Sequence, residues 1–462
     1  MMKNIIKLIR QALAGDESLD FTGISINKAL LLLSVPMVIE MIFESLFALA
    51  DAFFVAKYVG INGMATVGLT ESVLTIIYSI AWGISIAATA IVSRKTGEKK
   101  PEEASKSLMQ IINISFFLGL IIAFFGYIYS EEILRLMGAS EEVITQGIGY
   151  TQIQFLSSPI IILLFSLGGA LRGAGNASKA MKVMIIANII NIFLDFLFVP
   201  VLKMGVEGAA IATMIGRGIG VILQLVYIFS HKHSLNINLK TWHIDISHSW
   251  EIIKIAAGGA GQFIIQSASW VFLIRILSDF GSEVVAGYTI AIRIIVFTIL
   301  PSWGLANAAS TLVGQNLGAG KPDRASSSAW RAGYFNMVFL GIVAIFFFIY
   351  AEPLVRLFNE NPKAVETAVL CLKILCAGYI FFGFGMVMSQ AINGSGDTYT
   401  PTVLNVICFW LMEIPLAYYM AKYLGMHEKG VFWSIVISES MLAVFAMIYF
   451  KTGRWQKNKL SF

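Results

Sequence analysis

The sequence predicts an all-α integral membrane protein with twelve transmembrane helices in two pseudo-symmetric six-helix bundles. Three observations carry this prediction. Of 462 residues, 57% are hydrophobic and only 13% are charged, whereas soluble domains carry about 25% charged residues. Apolar runs near the ~20 residues that span a bilayer as helix recur along the whole chain. The pattern of the first half also returns in the second. Alternating ten-residue apolar strands do not occur, which argues against a β-barrel.

The twelve apolar segments lie near 28–56, 62–93, 107–129, 147–171, 183–202, 207–230, 254–279, 284–315, 327–352, 367–393, 401–424 and 430–450. Lys and Arg in the connections set their orientation, because basic loops stay cytoplasmic. One side holds Lys3, Lys7, Arg10, Arg94, Lys95, Lys99, Lys100, Lys106, Arg172, Lys179 and Lys182. It continues with Lys232, Lys240, Lys321, Arg324, Lys451, Arg454, Lys457 and Lys459. The other side has far fewer, such as Arg135, Lys203, Arg356 and Lys429. Both termini are therefore expected inside the cell, in a multi-pass protein of the inner (plasma) membrane. The net charge of +5 reflects this bias and calls for no nucleic-acid partner. The opening MKNIIKLIRQAL reads as an amphipathic surface helix or a solvated tail, not a cleavable signal. Cys371, Cys376 and Cys408 lie inside apolar runs, so neither a disulfide framework nor a zinc site is indicated.

The repeat is explicit at an offset of 221 residues. WGISIAATAIVSRKTGEKKPEEA (82–104) returns as WGLANAASTLVGQNLGAGKPDRA (303–325), and ALRGAGN (170–176) returns as AINGSGD (391–397). Matching helices then cross the membrane in the same direction. This divides the chain into an N-terminal segment (1–27), a first lobe (28–230), a polar linker (231–253), a second lobe (254–450) and a tail (451–462). Two such lobes imply a cavity between them and alternating access by rocking. His231, His233, His243 and His248 fall in the linker, without the carboxylate or cysteine partners of a metal site, and read as solvated.

LADAFFVAKYVG (49–60), ALRGAG (170–175), NIINIFLD (188–195), GVEGAAIAT (205–213) and ASTLVGQNLGAGKPDRA (309–325) resemble the multidrug and toxic compound extrusion (MATE) family. The resemblance covers about residues 27–450. It implies two six-helix lobes and antiport, in which a substrate leaves while Na⁺ or H⁺ enters. It also implies no cofactor beyond that coupling ion.

Ionisable groups at membrane depth are costly and are functional candidates. The first span carries Glu40, Glu44 and Asp51 on one face, about 40° and about 20° apart from Glu40 at 100° per residue. Pro36, one turn earlier, can bend the helix beside a cavity. The fifth span carries Asn191 and Asp195 at i,i+4, with Asn188 one turn before and more suited to helix–helix hydrogen bonding. Asp51, Asn191, Asp195 and Thr213 match the first-lobe cation site of DinF-type members. Two carboxylates, an amide oxygen and a hydroxyl suit Na⁺ as a possible metal. The same pair can hold a proton instead, since a low dielectric and a neighbouring carboxylate disfavour ionisation.

The second lobe departs from this pattern. At offset 222, Glu40 and Glu44 fall on Gln262 and Gln266, and Asp51 falls on Leu273. NorM-type members place a second-lobe cation site on acids of helices seven and ten. Here neither helix offers an acid, so that site is expected to be absent. Glu40, Glu44, Gln262, Gln266 and Trp303 are candidates to line the substrate cavity. An internal ion pair of the two glutamates with Arg293 or Arg275 is the plainer alternative. Tyr78, Trp82, Phe382 and Trp410 are further aromatic candidates. Glu71, Glu413 and Glu439 are also intramembrane. The function expected is cation-coupled export of amphipathic, often cationic, small molecules by a monomer in the bilayer. A flippase for lipid-linked precursors is the runner-up, although three acids on the first span argue against an anionic cargo. No catalytic constellation appears within the spans, so an enzyme is not expected.

Overall fold

The computed structural model describes residues 2–16, 19–230, 235 and 243–458, and among them there is no strand. The elements are α1 (Met2–Ala14), α2 (Ile26–Tyr58), α3 (Ile61–Gly97), α4 (Pro101–Ile128), α5 (Ser130–Leu136), α6 (Glu141–Leu156), α7 (Ser158–Gly173), α8 (Ala177–Phe196) and α9 (Gly205–Phe229). The second half adds α10 (Ile246–Ser278), α11 (Ser282–Gly318), α12 (Pro322–Arg356), α13 (Pro362–Gly394), α14 (Tyr399–Tyr423) and α15 (Glu428–Lys451). Among the described residues, eleven helices are long and apolar enough to cross a membrane. The pair α6 and α7, bent by 42° at Ser157, makes the twelfth span. Pro159, two residues past the break, fits its missing donor into the first turn of α7, where no intrahelical partner is needed.

The helices sort into two bundles. In the first, α3 packs on α7, α8 on α9, α2 on α8 and α4 on α7; in the second, α11 and α12 pack on α13, and α13 on α15. Each bundle has its own apolar core. A third core joins them, where Leu30, Leu33 and Met37 of α2 meet Ala306, Ala309 and Leu312 of α11.

The seam repeats its contacts by the same pseudo-symmetry as the sequence. A side chain at Gly83 of α3 would run into the backbone of Ala256 and Ala260 of α10. One at Gly304 of α11 would run into Met37 and Val38 of α2. These are the same contact seen twice, since Gly83 maps to Gly304 and Val38 to Ala260. Cross-bundle hydrogen bonds gather at the basic-loop end. Gln315 donates to the Gly173 carbonyl (2.9 Å), Thr311 to the Arg172 carbonyl (3.3 Å) and Lys321 to the Thr22 carbonyl (2.9 Å).

Two readings of the sequence change here, and a third is narrowed to one of its alternatives. Residues 246–253, read as linker, already belong to α10. Asp245 caps this helix by accepting the His248 backbone N–H, a bond that lowers its carboxyl pKa. Gln110 of α4 holds the same stretch, donating to the His243 carbonyl at 2.8 Å and accepting from Ser249 at 3.1 Å. His243 and His248 therefore sit in an anchored segment, while His231 and His233 lie outside the described residues. The opening segment is a helix: α1 buries Ala12 against α2, and Ser178 donates to the Leu13 carbonyl at 2.8 Å. Arg172, counted among the loop cations, is a buried residue of α7. Its neighbour the Gly173–Gly175 turn had suggested a loop.

Gly304→Val should lower the thermal stability of the purified protein, since overpacking a tight contact costs about 1–3 kcal/mol. Gly341→Ala, whose added methyl would meet only Ile380 at 3.9 Å, should cause no loss. Melting of the two variants in the same detergent checks this.

Candidate functional site

The site begins with α2, which runs unbroken through Pro36 and carries Glu40, Glu44 and Asp51 on the face turned to protein. Glu40 is buried and paired: Arg172 of α7 donates to its Oε1 at 2.6 Å and to the Ser85 hydroxyl at 2.9 Å. Glu44 is met by Arg217 of α9 at 3.3 Å and by the Asn188 amide at 3.5 Å. Arg217 also donates to the Tyr78 hydroxyl at 2.7 Å, and its guanidinium lies over the rings of Phe47, Tyr78 and Phe165. The partners expected from the sequence, Arg293 and Arg275, are not those found. Arg293 lies in electrostatic range of Glu71, and Arg275 bonds Ser278. Arg217 escaped the sequence reading although it sits in the middle of an apolar span, which alone marks it as a costly and purposeful charge.

Deeper in the first bundle lie Asp51, Asn191, Asp195 and Thr213; Arg217 lies in electrostatic range of Asp51, whereas Asp195 has no cation in such range. All four are buried, and Asp195 is fully so. The Asn191 amide donates to the Thr213 hydroxyl at 3.2 Å, which turns its carbonyl oxygen away from that bond. Asp51 Oδ1, Asn191 Oδ1 and both Asp195 carboxylate oxygens have no hydrogen-bond partner among the described residues. The two carboxylates are close enough to interact electrostatically. Four buried acceptor oxygens without a donor among the described residues constitute a binding deficit, because a buried unpaired acceptor is expensive. A small hard cation or a proton satisfies such a set. Among the described residues no group of three or more His, Cys, Asp or Glu side chains is arranged for a metal ion. A Na⁺ here would have to rely on two carboxylates plus neutral oxygens.

Between the bundles lies a partly open cavity, lined from both sides. Its walls carry Glu44 and Arg172, and an aromatic cluster whose rings stand close: Trp82 to Phe263 at 4.9 Å and Phe263 to Trp303 at 5.1 Å. Trp82 and Trp303 are repeat-related and 6.4 Å apart. Of the five cavity candidates, Glu44 and Trp303 line this space, whereas Glu40, Gln262 and Gln266 do not. Glu40 turns to Arg172, Gln262 exchanges hydrogen bonds with Asn393 at 3.0 and 3.1 Å, and Gln266 donates to Glu439 at 3.3 Å. Helical spacing put these residues on the right face but could not show partners arriving from distant spans. Tyr78 is held by Arg217, Phe382 is buried against Tyr379, and Trp410 donates to the Ile265 carbonyl on the outer side of its helix.

The chain was compared with known proteins on this basis. The MatE family model matches residues 36–197 and 260–419, one match in each bundle. A probable multidrug resistance protein of Bacillus subtilis, YpnP, is 26% identical over 96% of this chain and 98% of its own length. A solved structure described as the outward-facing conformation of a multidrug resistance MATE family transporter superposes with a TM-score of 0.88 at 25% identity, covering 96% of this chain and 97% of that one. A Pyrococcus furiosus transporter of the MOP superfamily, whose description reports a reversed polarity of the binding pocket, gives 0.89 at 25% identity over 97% and 98%. With matches spanning both bundles and the twelve-helix fold shared throughout, the chain belongs to the MatE family of membrane transporters.

Proposed function

We propose that this protein is a cation-coupled antiporter that exports amphipathic, often cationic, compounds, with Asp51, Asn191, Asp195 and Thr213 as the coupling site. The observation that carries the reading is the set of unpartnered oxygens on Asp51, Asn191 and Asp195 inside the first bundle. Binding H⁺ or Na⁺ removes their charge deficit and favours a drier, tighter bundle. Losing the ion calls for water or a substrate cation. That difference between two conformations is all that coupling requires. The names of relatives such as the B. subtilis multidrug resistance protein point the same way. The two lobes, 28–230 and 254–450, act as the rocking bodies. The closed seam at the basic-loop end supports an outward-facing arrangement, with the basic loops and both termini in the cytoplasm.

The aromatic cavity suits a flat lipophilic cargo, and Glu44 on its wall favours a positive one. The same wall carries Arg172, so the acids of α2 no longer argue against an anionic headgroup. This specific feature keeps a lipid-linked precursor as the second reading.

In vesicles with imposed pH or Na⁺ gradients, Asp195→Asn and Asp51→Asn should each abolish gradient-driven efflux of an ethidium-like dye while the protein stays folded. Normal efflux by Asp195→Asn under both gradients contradicts the coupling site. Arg172→Met, by leaving Glu40 buried without its cation, should destabilise the protein by about 3–5 kcal/mol. Adding Glu40→Gln should recover much of that loss in a double-mutant cycle. Cysteines introduced by Glu102→Cys and Glu360→Cys, both exposed and at opposite ends, should react with an impermeant reagent from inside and outside the cell respectively.

A further inference from the structure

The repeat relates the buried polar pairs of the two bundles, and their chemistry changes while their geometry is kept. Glu40–Arg172 in the first bundle corresponds to Gln262–Asn393 in the second, an acid–arginine pair against an amide–amide pair. Glu44–Arg217 corresponds, at an offset of 222 for both residues, to Gln266–Glu439. The contact distances are 3.3 Å in both. Where the first bundle places an arginine on its last span, the second places a glutamate.

That glutamate has an acidic neighbour. Glu413 of α14 lies in electrostatic range of Glu439, and no Lys or Arg pairs with either among the described residues. Glu413 sits on the span that repeats the one carrying Asn191 and Asp195. It is 1% exposed, and its Oε2 has no hydrogen-bond partner among the described residues. The backbone beneath it is unusual. Val406–Glu413 is a π-helical stretch, ending just before Pro415, whose ring displaces the regular hydrogen bonding of the preceding turn. A π-bulge inside a helix is frequently a functional feature. The Tyr288 hydroxyl of α11, 3% exposed, is likewise without a partner among the described residues and lies in range of Glu413. The remaining groups facing the pair are Ser269 and Gln266 of α10, Cys408 of α14, and Cys371 of α13 beside Tyr288. None of them is a cation.

We propose that Glu413 and Glu439 hold an exchangeable proton in the second bundle, with Gln266, Ser269 and Tyr288 around it, as an ion site separate from Asp51 and Asp195. Two carboxylates at membrane depth without a cation, Glu413 buried and Glu439 partly so, are held most cheaply by a proton. The Gln266 amide, where the first bundle has Glu44, donates to Glu439 without adding a further negative charge. The Tyr288 hydroxyl, unpartnered among the described residues and in electrostatic range of Glu413, is a neutral donor near the site in its discharged state. The site stands whether or not the first-bundle set couples transport, and its test reads proton binding directly.

The test is infrared difference spectroscopy on the purified full-length protein carrying Asp51→Asn and Asp195→Asn, which silences the first site. A protonated-carboxyl band should be present near neutral pH and fade as the pH is raised. Adding Glu413→Gln and Glu439→Gln, both isosteric, should remove it. Should that variant fold poorly by thermal melting, Gln266→Glu with Glu439→Arg rebuilds the ion pair of the first bundle, and should remove the band equally. A band unchanged in both variants overturns the proposal. So does loss of the band on adding Na⁺ at constant pH, which would make this a metal-cation site.

Discussion

Charge inside hydrocarbon must be matched, and the architecture of this protein follows from how it does so. Arg172 and Arg217 arrive from the fourth and sixth spans to meet Glu40 and Glu44 on the first. Each pair fixes α2 against its own bundle, because separating either leaves a charge with nowhere to go. Asp51, about two turns further along the same face, is given no such partner. Neither is Asp195. With Glu40 and Glu44 matched, Asp51 and Asp195 are the pair in the first bundle that we propose an ion from outside the protein neutralises.

The pseudo-symmetry supplies the mechanical frame. Gly83 and Gly304 bring the second span of each bundle onto the first span of the other, so the two halves meet through one repeated contact. Trp82 and Trp303, each adjacent to its glycine, stand side by side where the cavity begins. Packing of this kind is bistable more than elastic. A change of charge in the first bundle is therefore best passed on as a tilt of α2, which belongs to that bundle's polar network through Glu40 and Glu44 and to the seam through Met37.

Much of this was legible in the sequence. The apolar runs and the 221-residue repeat were enough for twelve helices in two bundles, because spanning length and repetition are properties of sequence. Asp51, Asn191, Asp195 and Thr213 were grouped through the family resemblance, and only the i,i+4 spacing of Asn191 and Asp195 stood out by itself against leucine and phenylalanine. The partners were not legible. Arg172 looked like a loop residue because it sits three residues before a Gly-Asn turn, and Arg217 hid between two glycines. Which arginine reaches which glutamate depends on contacts 132 and 173 residues apart, beyond any local period. Glu413 and Glu439 were legible as intramembrane acids, but that they come within electrostatic range of each other depends on two spans meeting, which no local period shows.

The central claim is that substrate and cation compete through the Asp51–Asp195 pair. Reciprocal linkage makes this measurable at equilibrium, since an ion that weakens dye binding must itself be weakened by the dye to the same degree. The direct measurement is the affinity of the purified protein for a cationic dye as a function of pH and of Na⁺ concentration. The account predicts that affinity falls as H⁺ or Na⁺ rises, with about one ion released per dye bound in unbuffered solution. An affinity indifferent to both ions would contradict it.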